Sequence, residues 1–464
     1  MQSRLGGTLG RLIPPTPLSR RLATQSLLFA TADGTFMTGS AVYFTQIVGL
    51  SATEVGLGLT IGGVVAFLAA YPAGRLADRI GPKRMWTGGA LLQALLFAAW
   101  PFVHGFWAYA TLVLVFEVVQ NAASAGRNAY VLDVLPDEDR VRTQAYMYSS
   151  LNLGFTLGSL IGGLALATGS LTVLRWMPFF TVAVGVLNAV FISRLPHAPH
   201  DLRAAQRVRG TRPERLPGKG PMRNPGWILL SFFTGTMWTN QVLLHTVIPL
   251  WLVVATDSPT WLLAWLFGTN TVMCIFLPAY TSRGISDTAS ALKASRISAA
   301  FFVVSCLITM VTHETVGLIT VLLVWLGHVT VTGAELAISA GSWAFQSHLM
   351  DPRRRGEYGG VREVFSALGG RWAPAVYTYL ALEWDGPGWP VIAAIVVVAC
   401  AGLHPSARMA QRFLEREVPL PQRDHPGDGP AAGPTEGPAV VTDDASPTGG
   451  SGPAEGAAPA PRHP

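Results

Sequence analysis

Polar side chains recur at helical spacing inside runs that otherwise read as hydrocarbon. Glu117, Gln120, Asn121, Ser124, Arg127 and Asn128 step by three and four along one stretch, and His328, Thr332, Glu335, Ser339 and Ser342 do so along another. Residues so spaced share one helix face. A third stretch carries Thr234, Trp238, Gln241 and His245, with Asn240 beside them, and a fourth carries Asp33 and Ser40 two turns apart. A charge at mid-membrane costs about 2.5–3.5 kcal/mol on insertion scales, so each of these residues asks for a reason. The chemistry open to them is reversible protonation and hydrogen bonding to a solute. There is no His-Glu-x-x-His pair, no Asp-rich run and no Gly-x-x-x-x-Gly-Lys-Ser/Thr phosphate loop. Neither an enzyme nor a resident metal or cofactor is expected.

The elements that must position these residues are long and apolar. Half of the 464 residues are hydrophobic and 13% are charged, against about 25% in soluble domains. That composition excludes a cytosolic globule, and it turns the surplus of six positive charges away from nucleic acid. Cys274, Cys306 and Cys400 lie far apart in apolar runs, read as buried thiols rather than a zinc or disulfide framework. A helix needs about 20 mostly apolar residues to cross a bilayer. Such runs fall near 22–48, 55–72, 85–103, 107–133, 143–167, 172–193, 226–255, 260–280, 297–312, 315–347, 358–382 and 388–407.

Charge orients these spans. Every Lys and Arg except Arg127, Arg175 and Arg371 falls in the terminal segments or in alternate connections, while the opposite connections carry Glu54, Asp257, Glu314, Glu383 and Asp385. By the positive-inside rule both termini are cytoplasmic. Arg20-Arg21 followed by Ala30-Thr31-Ala32 loosely imitates an export signal, but polar residues dilute the run and its removal would invert every later loop. The expected organisation is an amino-terminal segment 1–21, a six-helix bundle 22–194, a basic Pro-rich linker 195–225, a second six-helix bundle 226–413, and a disordered tail 414–464 poor in apolar side chains.

Between the second and third spans stands Gly74-Arg75-Leu76-Ala77-Asp78-Arg79-Ile80-Gly81-Pro82-Lys83-Arg84. A glycine where helices approach, an acid at a helix end, a glycine turn and a basic cluster make a tight charged hairpin. This order, after span two of twelve, resembles the signature loop of the major facilitator superfamily over roughly residues 22–413. The resemblance is closest in feel to bacterial drug and metabolite:proton antiporters. It implies an all-α membrane protein of twelve helices in two pseudo-symmetric bundles, working by alternating access. It also implies that Asp78 latches the bundles on the cytoplasmic side, with Gly74, Arg75, Arg79, Gly81, Lys83 and Arg84 shaping the hairpin. The matching loop of the second half, Arg283-Gly284-Ile285-Ser286-Asp287, is a faint echo. Gly154, Gly158, Gly162 and Gly163 of the fifth span share one face for close helix packing. The family's drug antiporters carry Gly-Pro-x-x-Gly-Gly there; this chain has Ser159 in place of the proline.

Spans one, four, seven and ten line the cavity in that family, so resemblance and periodicity point to the same water-lined path. Gln120, Ser124, Asn240, Gln241, His245, His328 and Thr332 are its expected lining. Asp33, Glu335 and Glu117 are the candidates for proton coupling. The alternative for Asp33 is a structural acid held by Arg127, and Arg127 itself is expected to join the latch. Both histidines could titrate or sit neutral and hydrogen-bonded, and Glu363 and Arg371, eight apart on nearly one face of the eleventh span, read as interbundle ion-pair material. Phe29, Phe36, Tyr43, Trp238, Trp325 and Trp343 could wall the path or face lipid. The expected function is proton-coupled efflux of a small, partly hydrophobic compound by a monomer in a bacterial inner membrane. Its partners are solute, protons and lipid, with no nucleic acid. Uptake of a metabolite and a non-transporting solute sensor are the alternatives.

Overall fold

The computed structural model describes residues 14–201, 218–384 and 386–417. The start of the amino-terminal segment, the centre of the expected linker, Asp385 and the expected tail from 418 lie outside them. All regular structure among the described residues is helical. The spans are α1 (Pro17–Val42, ending in a π turn Tyr43–Ile47), α2 (Ala52–Ile80), α3 (Pro82–Phe97), α4 (Phe106–Val134), α5 (Asp137–Ala167) and α6 (Leu171–Ser193). After the linker come α7 (Pro225–Ala255, interrupted), α8 (Leu262–Phe276, continued by Pro278–Thr281), α9 (Thr288–Met310) and α10 (Leu318–His348). The last are α11 (Arg355–Gly370 with Ala373–Glu383) and α12 (Gly388–Glu417).

Local chemistry sets the helix ends. The Thr16 hydroxyl accepts the Ser19 N–H ahead of Pro17, and Ser51 and Glu54 form a reciprocal capping box at the start of α2. Gly81, at φ 103°, makes the turn between α2 and α3 that a side chain would strain. Asp137, Glu138 and Asp139 lie in the first turn of α5, where the helix dipole favours negative charge. Several helices outrun their apolar stretch. α9 starts at Thr288 rather than near 297 and α12 runs on to Glu417, because a helix continues past the point where its side chains stop suiting lipid.

Eight of these helices are long and apolar enough to cross a membrane by length and composition. The other four are α1, which carries Asp33 and many hydroxyls, the short α3 and α8, and α11, which is broken and carries Arg362, Glu363 and Arg371. Within the first six helices α1 packs on α5 and α6, and α4 on α2 and α3; within the last six α7 packs on α11 and α12, and α9 on α10 and α12. The two groups meet where α2 lies on α11 and where α5 lies on α8 and α10. Outward-facing positions such as Leu68, Trp107, Leu164 and Val398 are widely exposed, an apolar surface suited to hydrocarbon rather than water.

Candidate functional site

At the end where the basic connections gather, α2 and α11 touch backbone to backbone. A Cβ on Gly74 would stand 2.1 Å from the Gly356 carbonyl oxygen, and one on Gly360 would stand 2.7 Å from that of Ala70. This closeness lets Asp78 act as a cap for a helix it does not belong to. Its Oδ1 accepts the Gly356 N–H at 2.9 Å and its Oδ2 the Glu357 N–H at 2.8 Å, donors in the first turn of α11 that have no partner in their own helix. Glu357 accepts the Tyr71 hydroxyl at 2.7 Å and lies 3.7 Å from Arg75, while Arg355 pairs with Asp133 at 3.3 Å. Arg79 and Arg84 are exposed.

The first residues of the expected linker are part of this end. The His200 N–H donates to Asp133 at 2.7 Å and its ring donates to the Asp78 carbonyl at 2.8 Å. Asp201 accepts the Lys83 N–H, and the Lys83 ammonium reaches the Leu195 carbonyl. Sequence reading missed these props because polar, Pro-rich segments give no periodic signal. Arg127 does not join Asp78: it donates to Ser26 of α1 at 3.1 Å, and Arg355 takes the place beside Asp133. Arg127 is six residues short of Asp133, about 9 Å along the helix at 1.5 Å per residue, and so stands away from that end. Among the described residues Asp287 bonds to no helix of the other bundle; it caps α9, accepting the Ser290 N–H at 2.8 Å, and the Ser290 bonds hold its carboxyl below the usual range.

Between the bundles lies a cavity of about 430 Å³ lined from α2, α4 and α11. Glu117, Gln120, Asn121, Ser124 and Asn128 reach it from α4, and Glu363 and Arg371 from α11. The α4 stripe thus lines a polar space as its spacing requires. Glu363 lies 3.5 Å from Arg362 of its own helix, and Arg371 faces the same cavity as Glu117 of the other bundle. A second cavity of about 160 Å³ shares Asn128 and adds Arg127, Gln144, Tyr148, Trp238, Trp343 and Arg362.

Asp33 is elsewhere. It lines a pocket of about 20 Å³ among α1, α3 and α6, beside Phe29, Gln93 and Asn188, with no ion-pair partner among the described residues. The Gln93 amide donates to Gln120, which lines the large cavity, so Asp33 stands one amide pair behind the cavity wall. Phe36 and Tyr43 belong to a buried aromatic cluster with Phe44, Phe97, Trp100 and Tyr109, not to a cavity wall. Trp325 donates to Thr269 at the surface.

The stripe on α7 does not survive folding as one face. The helix breaks after Met237 and passes through a π turn at Leu243–Val247, so residues counted at 3.6 per turn part company. Trp238 lines the second cavity, Asn240 is fully buried, and His245 is exposed and stacked on Phe267. Asn240, Gln241, His245, His328 and Thr332 are absent from the lining of the described cavities. Both ring nitrogens of His328 are buried without a hydrogen-bond partner among the described residues. Glu335 is buried at the seam between bundles, bonded to Tyr148 and Asn270, two partners no local pattern announces. Gly154, Gly158 and Gly162 take α5 onto the backbone of α1, each with room for no Cβ, whereas Gly163 faces open space.

Comparison with known proteins decides what this frame is. Residues 22–374 match the family profile described as Major Facilitator Superfamily. The chain belongs to the major facilitator superfamily. It has the family's twelve-helix fold of two pseudo-symmetric bundles. The multidrug resistance protein MdtH of Photorhabdus laumondii subsp. laumondii is 25% identical over 357 residues, 75% of this chain and 80% of that one. Multidrug resistance protein 2 of Bacillus subtilis (strain 168) is 24% identical over 151 residues, 32% of this chain and 36% of that one. The chain spans about a third of the length of the first curated relatives it matches. The superfamily transporter FucP, solved in the outward conformation, has the same fold at a TM-score of 0.63 and 16% identity, over 86% of this chain and 99% of its own.

Proposed function

We propose that this transporter exports a small amphipathic compound from a bacterial cytoplasm across the inner membrane in exchange for protons. The observation that carries the reading is a pair of neighbouring cavities that share Asn128 in their walls. One is polar, with Glu117, Glu363 and Arg371; the other adds Trp238 and Trp343. A solute with a charged or hydrogen-bonding head and an apolar body fits that pairing. Its head would lie among Glu117, Gln120 and Ser124, and its body against the tryptophans. The basic end is the cytoplasmic one by its charge. There Asp78 holds α2 to α11, so solute is barred from the cytoplasm in this state. Gly74, Arg75, Gly81 and Lys83 shape that latch, with Arg79 and Arg84 facing the aqueous side.

Coupling requires a carboxyl that gains and loses a proton as the cavity changes face. Glu117 stands in the cavity itself, and Asp33 stands behind it through Gln93 and Gln120. Two relatives bear the name multidrug resistance protein, which agrees with export. Everted vesicles carrying the full chain test the reading: impose a proton gradient and follow the dissipation of that gradient as lipophilic cations are added. Native protein is expected to respond, Asp33→Asn and Glu117→Gln to lose the response to the gradient. Solute flux indifferent to the gradient in native protein would overturn exchange for protons.

A further inference from the structure

Glu335 is 4% exposed and sits midway along α10. Its Oε1 accepts the Tyr148 hydroxyl, and its Oε2 accepts the Asn270 amide at 3.1 Å. Tyr148 comes from α5 in the first bundle; Asn270 and Glu335 come from α8 and α10 in the second. The first bond therefore crosses between the bundles and the other does not. Asn270 also donates to Thr332 on α10 at 3.2 Å, which ties it within its own bundle. The Tyr148 ring is placed independently of its hydroxyl by Trp343, edge to face with centroids 5.8 Å apart.

We propose that Tyr148 and Asn270 make Glu335 a proton site straddling the bundles, whose ionised form clasps α5 to α10 and whose protonated form lets that seam part. The inference rests on the transport reading only in taking the molecule as a carrier with two states. An ionised carboxylate is an acceptor alone, and two donors from opposite bundles point at it. Hydrogen bonds to a charged acceptor are roughly twice as strong as neutral ones. Drawing Tyr148 away from the ionised acid would leave a buried charge short of a donor, a state that costs several kcal/mol. Once protonated, the carboxyl carries its own O–H, the cross-bundle bond becomes a neutral one, and Asn270 keeps Thr332. Protonation thus weakens the link between bundles and spares the link within one. A carrier so built parts along this seam only with a proton aboard, the condition that stops it cycling without its coupling ion.

The groups around Glu335 leave the proton to this site. From α8 the nearest thiol, Cys274, is buried and free of any disulfide. From α9 the Ser298 hydroxyl donates to the neighbouring Ala334 carbonyl, and that helix's Lys293 and Arg296 are exposed near its start. On α7 the sole titratable side chain is His245, stacked on Phe267, and on α10 His328 lies two turns away against the same ring.

The test uses the full chain in lipid nanodiscs, with no solute. Infrared difference spectra between alkaline and acid pH report a protonated buried carboxyl through its C=O stretch. Hydrogen exchange of the α5 segment around Tyr148, corrected for the intrinsic effect of pH, reports the seam. In native protein, acidification is expected to raise the carboxyl band and the exchange together. Glu335→Gln should lose the Glu335 component of the band, leaving that of Asp33 and Glu117, and exchange fast at every pH. Tyr148→Phe keeps the ring against Trp343; it should retain the band at a shifted frequency and raise alkaline exchange about tenfold, the loss of one charge-assisted bond. A native protein whose α5 exchange ignores pH overturns the proposal. So does a Tyr148→Phe protein with native band and native exchange. A seam that responds as expected in a protein that moves no solute with protons would refute the transport reading and leave this one standing.

Discussion

The two seams that join the bundles are made of different materials. Along α2 and α11 the contact is one of shape: Gly74, Gly356 and Gly360 bring backbones together, and peptide N–H groups meet Asp78. Along α5 and α10 the contact is one of chemistry, the Tyr148 hydroxyl on Glu335, with Asn270 of α8 holding that acid from within its own bundle. The first has no room for a methyl group; the second, on the proposal above, yields to a proton. A further contrast lies in the two loops that occupy equivalent places in the halves. Asp78 caps a helix of the other bundle, whereas Asp287 caps its own. The same local device therefore bridges the bundles only where glycines admit the partner helix.

The comparison can be broken most severely at Gly74. Overpacking costs about 1–3 kcal/mol, so Gly74→Leu is expected to deplete the closed state ten- to hundredfold. It should abolish most turnover in vesicles while the purified protein melts as the native one does. Within a bundle the same crowding should act on folding instead. A Cβ on Gly158 would lie 2.4 Å from the Thr31 carbonyl oxygen, so Gly158→Leu should lower the melting midpoint and yield. Native melting with a failed cycle would erase the distinction between seam and core. Asp78→Asn keeps an acceptor but loses the charge at a helix terminus, worth up to about 2 kcal/mol. Turnover should fall by up to about thirtyfold, and unchanged turnover would remove Asp78 from the latch. The smallest effect belongs to Asp287→Ala, which should cost about 1 kcal/mol of stability as a lost helix cap and leave transport rate alone.

Reading the chain without its fold recovered the parts governed by neighbours in sequence. The α4 stripe, Glu117 to Asn128, lines a polar cavity because α4 is an unbroken helix and its spacing holds. The glycines of α5 pack as their step of four requires, three against α1, and the fourth points away. The α7 stripe failed because a break and a π turn changed the period beneath it. Asp33 was expected on the path and lies behind it, since a lone acid has no second residue to fix which side of α1 it takes. Tyr148, Asn270 and His200 were invisible, each being a single polar residue whose partner is far along the chain.

What the sequence determined is the solvent and the inventory. Apolar length sets the number of crossings, the bias of Lys and Arg sets their expected direction, and the Gly74–Arg84 loop carries the family. These follow from free energies summed over adjacent residues. Tertiary structure alone decided which acids share a cavity, which is shut behind an amide pair, and which joins the two halves. Each of those depends on the rotation and contact of helices far apart along the chain, where one turn of slip exchanges a cavity wall for a core.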